Sequence, residues 1–365
     1  MKLKYIGHFI GWLLFGANAL LALLLLLCAY SPYIDPVTYP VLSCAGLAFP
    51  IFLLLNILFM IFWIVFYRRY ALLSFITLLI CYSPIKAYIP LNTPTRTIPE
   101  NTIKILSYNV MAYAYDKPHK KNEPNEIIHY LSNSDADIIC AQEAFLNKSK
   151  NSQFLNEKTV SDAMANYPYH SHHQERSNGW DCFSRYPILS ERMIDHDSRG
   201  NGSMVYEIKI GTDTLLLINN HLESNKLTTD DKEVYREMII APEKENVKKA
   251  SKQLLGKVTG AAAIRSVQAD AIAQIIRETP HKYIIVCGDF NDSPISYTHR
   301  VISENLNDAF IESGNGLGIS YNRNGFYFRI DHIFTSKNLE TYNCTVDRSI
   351  KASDHYPIWC YIKKK

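Results

Sequence analysis

The sequence predicts an α/β domain of two stacked sheets covered by helices, set behind a membrane-spanning N-terminal segment. Three observations predict it. The chain opens with long apolar runs that carry no charge. Beyond residue 103, short apolar or alternating segments recur between polar turns, with a few amphipathic stretches among them. Several of those segments end in Asn, Asp, Glu or His, which places polar chemistry at the ends of strands.

The membrane segment comes first. Residues 9–30 and 41–66 are uncharged, and each is long enough for the hydrocarbon layer, which needs about 20 helical residues. Residues 71–90 make a weaker third span that meets Ser83, Pro84 and Lys86 near its end, where a lysine can snorkel. The first run is too long for a cleaved signal peptide, lacks a small-residue cleavage site and is followed by more apolar sequence. Lys2 and Lys4 precede the first span, Arg68 and Arg69 separate the second from the third, and the connection at 31–40 has neither Lys nor Arg. The positive-inside rule therefore puts the N-terminus in the cytoplasm. Three spans place everything after residue 90 outside the cytoplasm, and two would place it inside.

Charge supports this division. Residues 1–90 hold five of the 38 Lys and Arg and one of the 35 Asp and Glu, which leaves the remainder at a net of −1. The excess of +3 is thus no sign of a basic nucleic-acid surface. With 47% hydrophobic residues the chain is neither disordered, collagen-like nor a disulfide scaffold. Of eight cysteines, five fall beyond residue 90 without metal-binding spacing, and Cys140, Cys287 and Cys360 sit in apolar runs as buried thiols.

Residues 91–102, with two prolines and small polar residues, read as a linker to a domain over 103–365. Strands are expected at 103–110, 137–140, 179–184, 204–210, 215–219, 283–287, 330–335 and 357–362. Helices are expected at 125–132, 152–166 and 248–277, the last with Gly256 to Gly260 as its weak point.

Six strand ends finish alike, in an apolar run followed by polar residues. They are ILSYN to Asn109, IICAQE to Glu143, LLLINNH to His221, IIVCGDFN through Asp289 to Asn291, IDH with Asp331, and SDH with Asp354 and His355. A polar residue after a strand is ordinarily a turn or a cap. Six in one chain outline a metal and phosphate site on one rigid edge.

In order and spacing, SYN (107–109), QE (142–143), NNHLES (219–224), GDFNDSP (288–294), RIDHIF (329–334) and SDHYPI (353–358) resemble the endonuclease/exonuclease/phosphatase superfamily, the DNase I-like fold shared with neutral sphingomyelinases. The resemblance covers about residues 103–363 and implies a four-layer αββα sandwich of two mixed sheets. It implies Mg²⁺, with Mn²⁺ the alternative, on Glu143 with Asn109 and Asp354. It implies Asp289 and Asn291 at the attacking water, His221 and His355 as imidazoles on phosphate or leaving group, and Asp331 orienting His355. Asn109, His221, Asn291 and His355 would bind the phosphate. Whether Asp289 or the His355–Asp331 pair takes the water's proton stays open.

The chain departs from the pattern in two places. Met111 stands where abasic-site nucleases carry an acid, which weakens a repair-nuclease reading. Residues 226–265 are longer than the connection needs and are expected to form a helical flap over the pocket. His170, His172 and His173 lack cysteine partners and read as a strand edge, not a metal cluster. The scattered tyrosines read as packing, Arg185 as structural and Lys363–Lys365 as a solvated end.

The expected activity is hydrolysis of a phosphodiester by in-line water attack. A lipid or other surface-bound substrate is favoured, because the anchor concentrates the enzyme on a bilayer. A tethered nuclease is the alternative, and a non-catalytic binding domain retaining the fold is the alternative of another class. The bilayer and the phosphodiester substrate are the expected partners, with no protein partner.

Overall fold

The computed structural model describes residues 2–115, 125–146, 155–175, 178–196, 198, 200–228, 231, 245–323 and 326–365. Its strands in chain order are β1 (Ile103–Asn109), β2 (Ile138–Gln142), β3 (Tyr169–Glu175), β4 (Asn178–Ser184), β5 (Ile188–Ile194), β6 (Gly202–Ile210) and β7 (Asp213–His221). They continue as β8 (Tyr283–Asp289), β9 (Leu306–Asp308), β10 (Tyr321–Arg323), β11 (Phe326–Phe328), β12 (Asp331–Ser336), β13 (Leu339–Val346) and β14 (Ile358–Lys364). One six-stranded sheet runs β13-β14-β1-β2-β4-β3 and the other β5-β6-β7-β8-β12-β9, while β10 and β11 form a separate ribbon. Each large sheet is mixed, with β1 parallel to β2 in the first and β7 parallel to β8 in the second.

The layers follow from strand periodicity. In β1, Ile105 points between the sheets and Leu106 points outward. The middle layer packs Ile105, Trp180, Tyr206, Leu217, Ile285, Ile333 and Ile358 between the sheets. Outside the first sheet, Ile127 and Leu131 of the helix Glu126–Ser132 cover Leu106 and Ile139. Outside the second, Ala269, Ile272, Ala273 and Ile276 of the helix Glu245–Glu278 cover Ile218, Ile284 and Val286. Each fully buried Leu or Ile contributes about 1.5–3 kcal/mol. The result is the expected four-layer sandwich. The long helix does not break at Gly256 or Gly260. Two helical glycines cost about 1 kcal/mol each against alanine, and buried Leu254, Ala261 and Ala262 keep the inner face continuous past them. Of the expected flap, residues 229, 230 and 232–244 lie outside the described residues.

At the N-terminus, Phe9–Tyr33 and Pro40–Phe66 are long and apolar enough to cross a membrane, and Arg68–Ile80 with Tyr82–Tyr88 forms a third candidate bent by 64°. Polar side chains stitch these helices together: Asn56 Nδ2 donates to the Leu21 and Phe52 carbonyls, and Ser74 Oγ to Asn18 Oδ1. At one end of the bundle the Phe15 and Tyr70 rings lie 4.9 Å apart. At the other, Tyr30 donates to the Ile80 carbonyl at 2.8 Å.

That second end meets the sandwich. Arg300 Nε donates to the Pro32 carbonyl at 2.8 Å, with its guanidinium 5.0 Å from the Tyr33 ring. Gly46 sits so close to the Ile295 carbonyl that a Cβ would collide with it. Arg329 donates to the Ala87 carbonyl, and Lys86 faces Glu312 at 3.5 Å. The 91–102 segment is also tied down: Asn92 donates to Ile311 and Gly314 carbonyls, and Thr95 exchanges two hydrogen bonds with Asn343.

A buried cluster supports this junction. His299 Nε2 lies 2.8 Å from Asp308 Oδ2, Asp308 Oδ1 caps the helix Ala309–Ser313, and Arg329 is buried nearby. Burial would raise the Asp308 pKa, but His299, His332 and Arg329 hold it well below the usual carboxylate value. A lowered carboxylate stabilises the fold above its unfolded pKa and loses that contribution as pH falls through the folded value. Asp308→Asn is therefore expected to cost about 1.5–3 kcal/mol at neutral pH, the range for a hydrogen bond to a charged group, and to lose less than wild type below about pH 4. Denaturant melts at both pH values check this, and an equal loss at both would show that charge is not involved.

Candidate active site

Three adjacent strands of the second sheet bring their ends into line. In register His221 of β7 lies opposite Asp289 of β8, which lies opposite Asp331 of β12. Across the sandwich, Asn109 ends β1 beside Gln142 of β2, and Glu143 follows. Ser353 bonds the Asn109 carbonyl at 2.8 Å and so fastens Asp354 and His355 to the same edge. Two features of GDFN are backbone requirements. Gly288 has φ of +132° with Asn220 against its Cα, and Asn291 has φ of 50°. Glu143 has a φ of 52° as well, and its carbonyl accepts the Ala112 amide.

The residues expected from sequence converge. Asp289 Oδ2 accepts from Asn109 Nδ2 at 3.1 Å and lies 3.7 Å from His221 Nε2 and 3.6 Å from His355 Nε2. Glu143 Oε1 accepts from the same Asn109 amide at 3.0 Å and lies 3.5 Å from His221 Nε2. Asp289 Oδ1 accepts the Asn291 amide, and Asn291 Nδ2 donates to the Leu222 carbonyl. His355 Nδ1 is 2.8 Å from Asp331 Oδ2. Glu143, His221, Asp289, Asn291, Asp354 and His355 all line one cavity of about 480 Å³. Asn109 turns its NH₂ toward both carboxylates while its oxygen accepts the Met111 amide, so in this conformation it is a donor to the site.

Electrostatics separates the two histidines. Burial lowers the His221 pKa. Its Nδ1 faces Asn178 Nδ2 at 2.7 Å, and the Asn178 amide is fixed by donating to Gly200 O and accepting Gly179 N–H. Nδ1 is therefore the acceptor, and a neutral His221 aims Nε2–H into the cavity. His355 is the reverse case. Burial would lower it, but Asp331 and Asp289 outweigh burial and raise its pKa well above 6.5. Burial raises Glu143, and Asp354 adds to the rise; burial also raises Asp289, assisted by Asp331.

Sequence reasoning missed three groups. Asn178 sets the His221 tautomer. Gln142 and Asn219 hydrogen-bond across the two sheets at 2.6 Å beneath the site, and the Tyr321 ring stands 5.1 Å from that of His355. Gln142 and Asn219 stood inside the QE and NNHLES motifs without an assigned role, while Asn178 and Tyr321, each first in its strand, carried no local signal. Asn178→Leu is expected to lower kcat by about 10–100-fold with KM little changed, the size seen when a histidine loses its orienting partner. Unchanged kcat in a folded variant would remove Asn178 from the site. The histidine run is accounted for elsewhere, since His170 and His172 both contact buried Asp181, which Tyr113 also contacts.

The carboxylates suit a hard divalent cation, which takes oxygen ligands. Glu143, Asp354 and Asp289 share the cavity, while its lining Arg265 and Lys226 are engaged with Asp292 and Glu223. The more compact trio Asp289, Asp331 and His355 is already joined by the 2.8 Å hydrogen bond.

A two-sheet sandwich with carboxylates, amides and imidazoles gathered at one edge defines the phosphoesterase class of this fold. The chain belongs to the endonuclease/exonuclease/phosphatase family, which matches residues 106–355; its members are in general hydrolytic and divalent-metal dependent. A domain of unknown function matches residues 11–88. No curated protein matches the chain. Among solved structures, the human nocturnin catalytic domain with bound sulfate superposes with a TM-score of 0.52 at 14% identity, covering 75% of this chain and 100% of that one. An endonuclease/exonuclease/phosphatase from Beutenbergia cavernae gives 0.51 at 13%, covering 72% of each. D. rerio TDP2 complexed with a single-strand DNA product gives 0.50 at 15%, covering 73% and 100%. At these identities the likeness is one of fold.

Proposed function

We propose that the chain is a membrane-anchored, divalent-metal-dependent phosphodiesterase acting on a lipid or other surface-bound phosphodiester. One observation carries the choice of substrate: the cavity that holds the polar cluster is also lined by Ser43, Cys44 and Leu47, from the first turns of the second candidate span. Glu143 and Asp354 would hold Mg²⁺ or Mn²⁺, which supplies charge neutralisation at the phosphoryl oxygens. Asn109, His221 Nε2–H and His355 Nε2–H surround one point of the cavity as donors for those oxygens. His355, kept charged by Asp331 and Asp289, is poorly placed to accept a proton. Asp289, raised by burial and fixed by the Asn291 amide, takes one from the attacking water. The new P–O bond then forms in line as the bond to the leaving oxygen breaks, and charged His355 gives that oxygen its Nε2 proton to release the alcohol.

The topology proposed is three spans with the domain outside the cytoplasm. In its support, Pro32 and Ala87 both bond the same domain, so the chain must cross an even number of times between them. Arg68 and Arg69 lie at the opposite end of the bundle. A reporter fused at the C-terminus should read extracytoplasmic, and a cytoplasmic signal would reject three spans.

The deciding experiment offers sphingomyelin-type lipid in vesicles and single- and double-stranded DNA to the full chain with Mg²⁺, using His221→Ala as control. Lipid cleavage lost in the control supports this reading. DNA cleavage alone would make the protein a tethered nuclease.

A further inference from the structure

The cavity has a wall that the sandwich does not build. Leu47 and Cys44, in the first turns of the second candidate span, line the same cavity as Leu254, Leu255 and Val258 of the long helix. The polar floor and this apolar wall belong to one continuous space, so a substrate in contact with Glu143 and His355 extends along the wall. The wall is held rigidly: Gly46 leaves no room above the Ile295 carbonyl, Ile295 is buried among membrane-helix residues, and Arg300 grips Pro32.

We infer that this wall is the subsite for the hydrocarbon chain of an amphipathic phosphodiester, so that the anchor selects the substrate as well as locating the enzyme. The inference rests on the phosphodiesterase reading above and names what lies beyond the scissile phosphate. Two observations set it against a polynucleotide. A second phosphate needs a free cation, and among the described residues the cavity's Arg and Lys are committed: Arg265 donates to Asp292, the Glu223 carbonyl and Asn225, while Lys226 pairs with Glu223. The remaining wall offers side chains that gain by leaving water. Leu47 and Leu255 are 42% and 43% exposed, so each has surface left for a ligand to cover and tolerates replacement without loss of core. The first turns of a span also lie near the bilayer surface, where one chain of a lipid can leave its neighbours and reach the wall.

The test uses the full chain in detergent micelles with methyl and dodecyl p-nitrophenyl phosphate, two diesters that share a leaving group and differ only in the chain. Wild type should favour the dodecyl ester in kcat/KM by about tenfold or more, the worth of two buried methylenes. Leu47→Asp and Leu255→Asp should each remove most of that preference and leave the methyl ester within about twofold. No preference in wild type, or equal losses on both esters, would overturn the subsite, as would single-stranded DNA cleavage untouched by either variant. A dodecyl phosphodiester with a diazirine at its chain end supplies a readout independent of activity. Crosslinks mapped by mass spectrometry should fall within residues 43–47 or 254–258. Crosslinks there without hydrolysis of any ester would reject the phosphodiesterase reading and keep the subsite. Hydrolysis with crosslinks elsewhere would do the opposite.

Discussion

Glu143→Gln is expected to reduce metal-dependent phosphodiester hydrolysis by about 10³-fold, which corresponds to about 4 kcal/mol of barrier. The substitution keeps the shape of the side chain and its place beside Asn109 and removes only the charge. Burial, with Asp354 and Asp331 adding, pushes the Glu143 pKa up. A raised carboxylate pKa means that the ionised form is worse off folded than unfolded at neutral pH. Without metal, the neutral glutamine should therefore melt at the same temperature as wild type or slightly higher. Mg²⁺ reverses the order. A ligand that binds only the folded state stabilises by RT ln(1 + [L]/Kd), so wild type should gain melting temperature as Mg²⁺ rises and Glu143→Gln should gain little. Retained activity, or an equal Mg²⁺ shift in both proteins, would take Glu143 out of the metal site.

The contrast between Glu143 and Asn178 shows what the sequence could reveal. Glu143 follows β2, and His221 and Asp289 end β7 and β8, as expected; Asp331 instead opens β12 and His355 precedes β14, and these reach the same edge because β12 runs antiparallel to β8 and β14 antiparallel to β1. The sandwich was equally legible, because β1, β2, β7 and β8 alternate or run apolar with few exceptions. Asn178 was not legible. Its partners are His221, 43 residues away, and a loop carbonyl at Gly200, and no local periodicity encodes such a pairing. The long helix was expected at 248–277, and only its weak point at Gly256 to Gly260 did not hold. Gly256 and Gly260 signal a break locally, and Leu254, Ala261 and Ala262, buried on either side of them, carry the helix through. The anchor's part in the cavity was beyond reach, since 31–40 reads as an ordinary turn and 41–48 as the start of a span until Arg300 closes on the one and Ile295 on the other.

Asp331→Asn is the second large effect, about 10²–10⁴-fold in kcat, the range over which an acid–base group and its orienting carboxylate act. Asp331 Oδ2 holds His355 Nδ1 at 2.8 Å, so Nδ1 carries a proton and Nε2 faces Asp289. An asparagine can present its NH₂ to Nδ1 instead, which reverses the tautomer, and it no longer supplies the charge that keeps His355 protonated. The fold should tolerate the change, because the Asp331 amide is bonded by Ser320 Oγ independently of the side chain and the register with Asp289 is set by the backbone. Asp331 on this account acts only through His355. The double variant Asp331→Asn/His355→Ala should then be no slower than His355→Ala alone, as expected of residues that work as a unit. Losses that multiply in the double variant would mean that Asp331 reaches the reaction by another route. It would then be a direct participant at the Asp289 end of the cluster, not the positioning residue its geometry makes it.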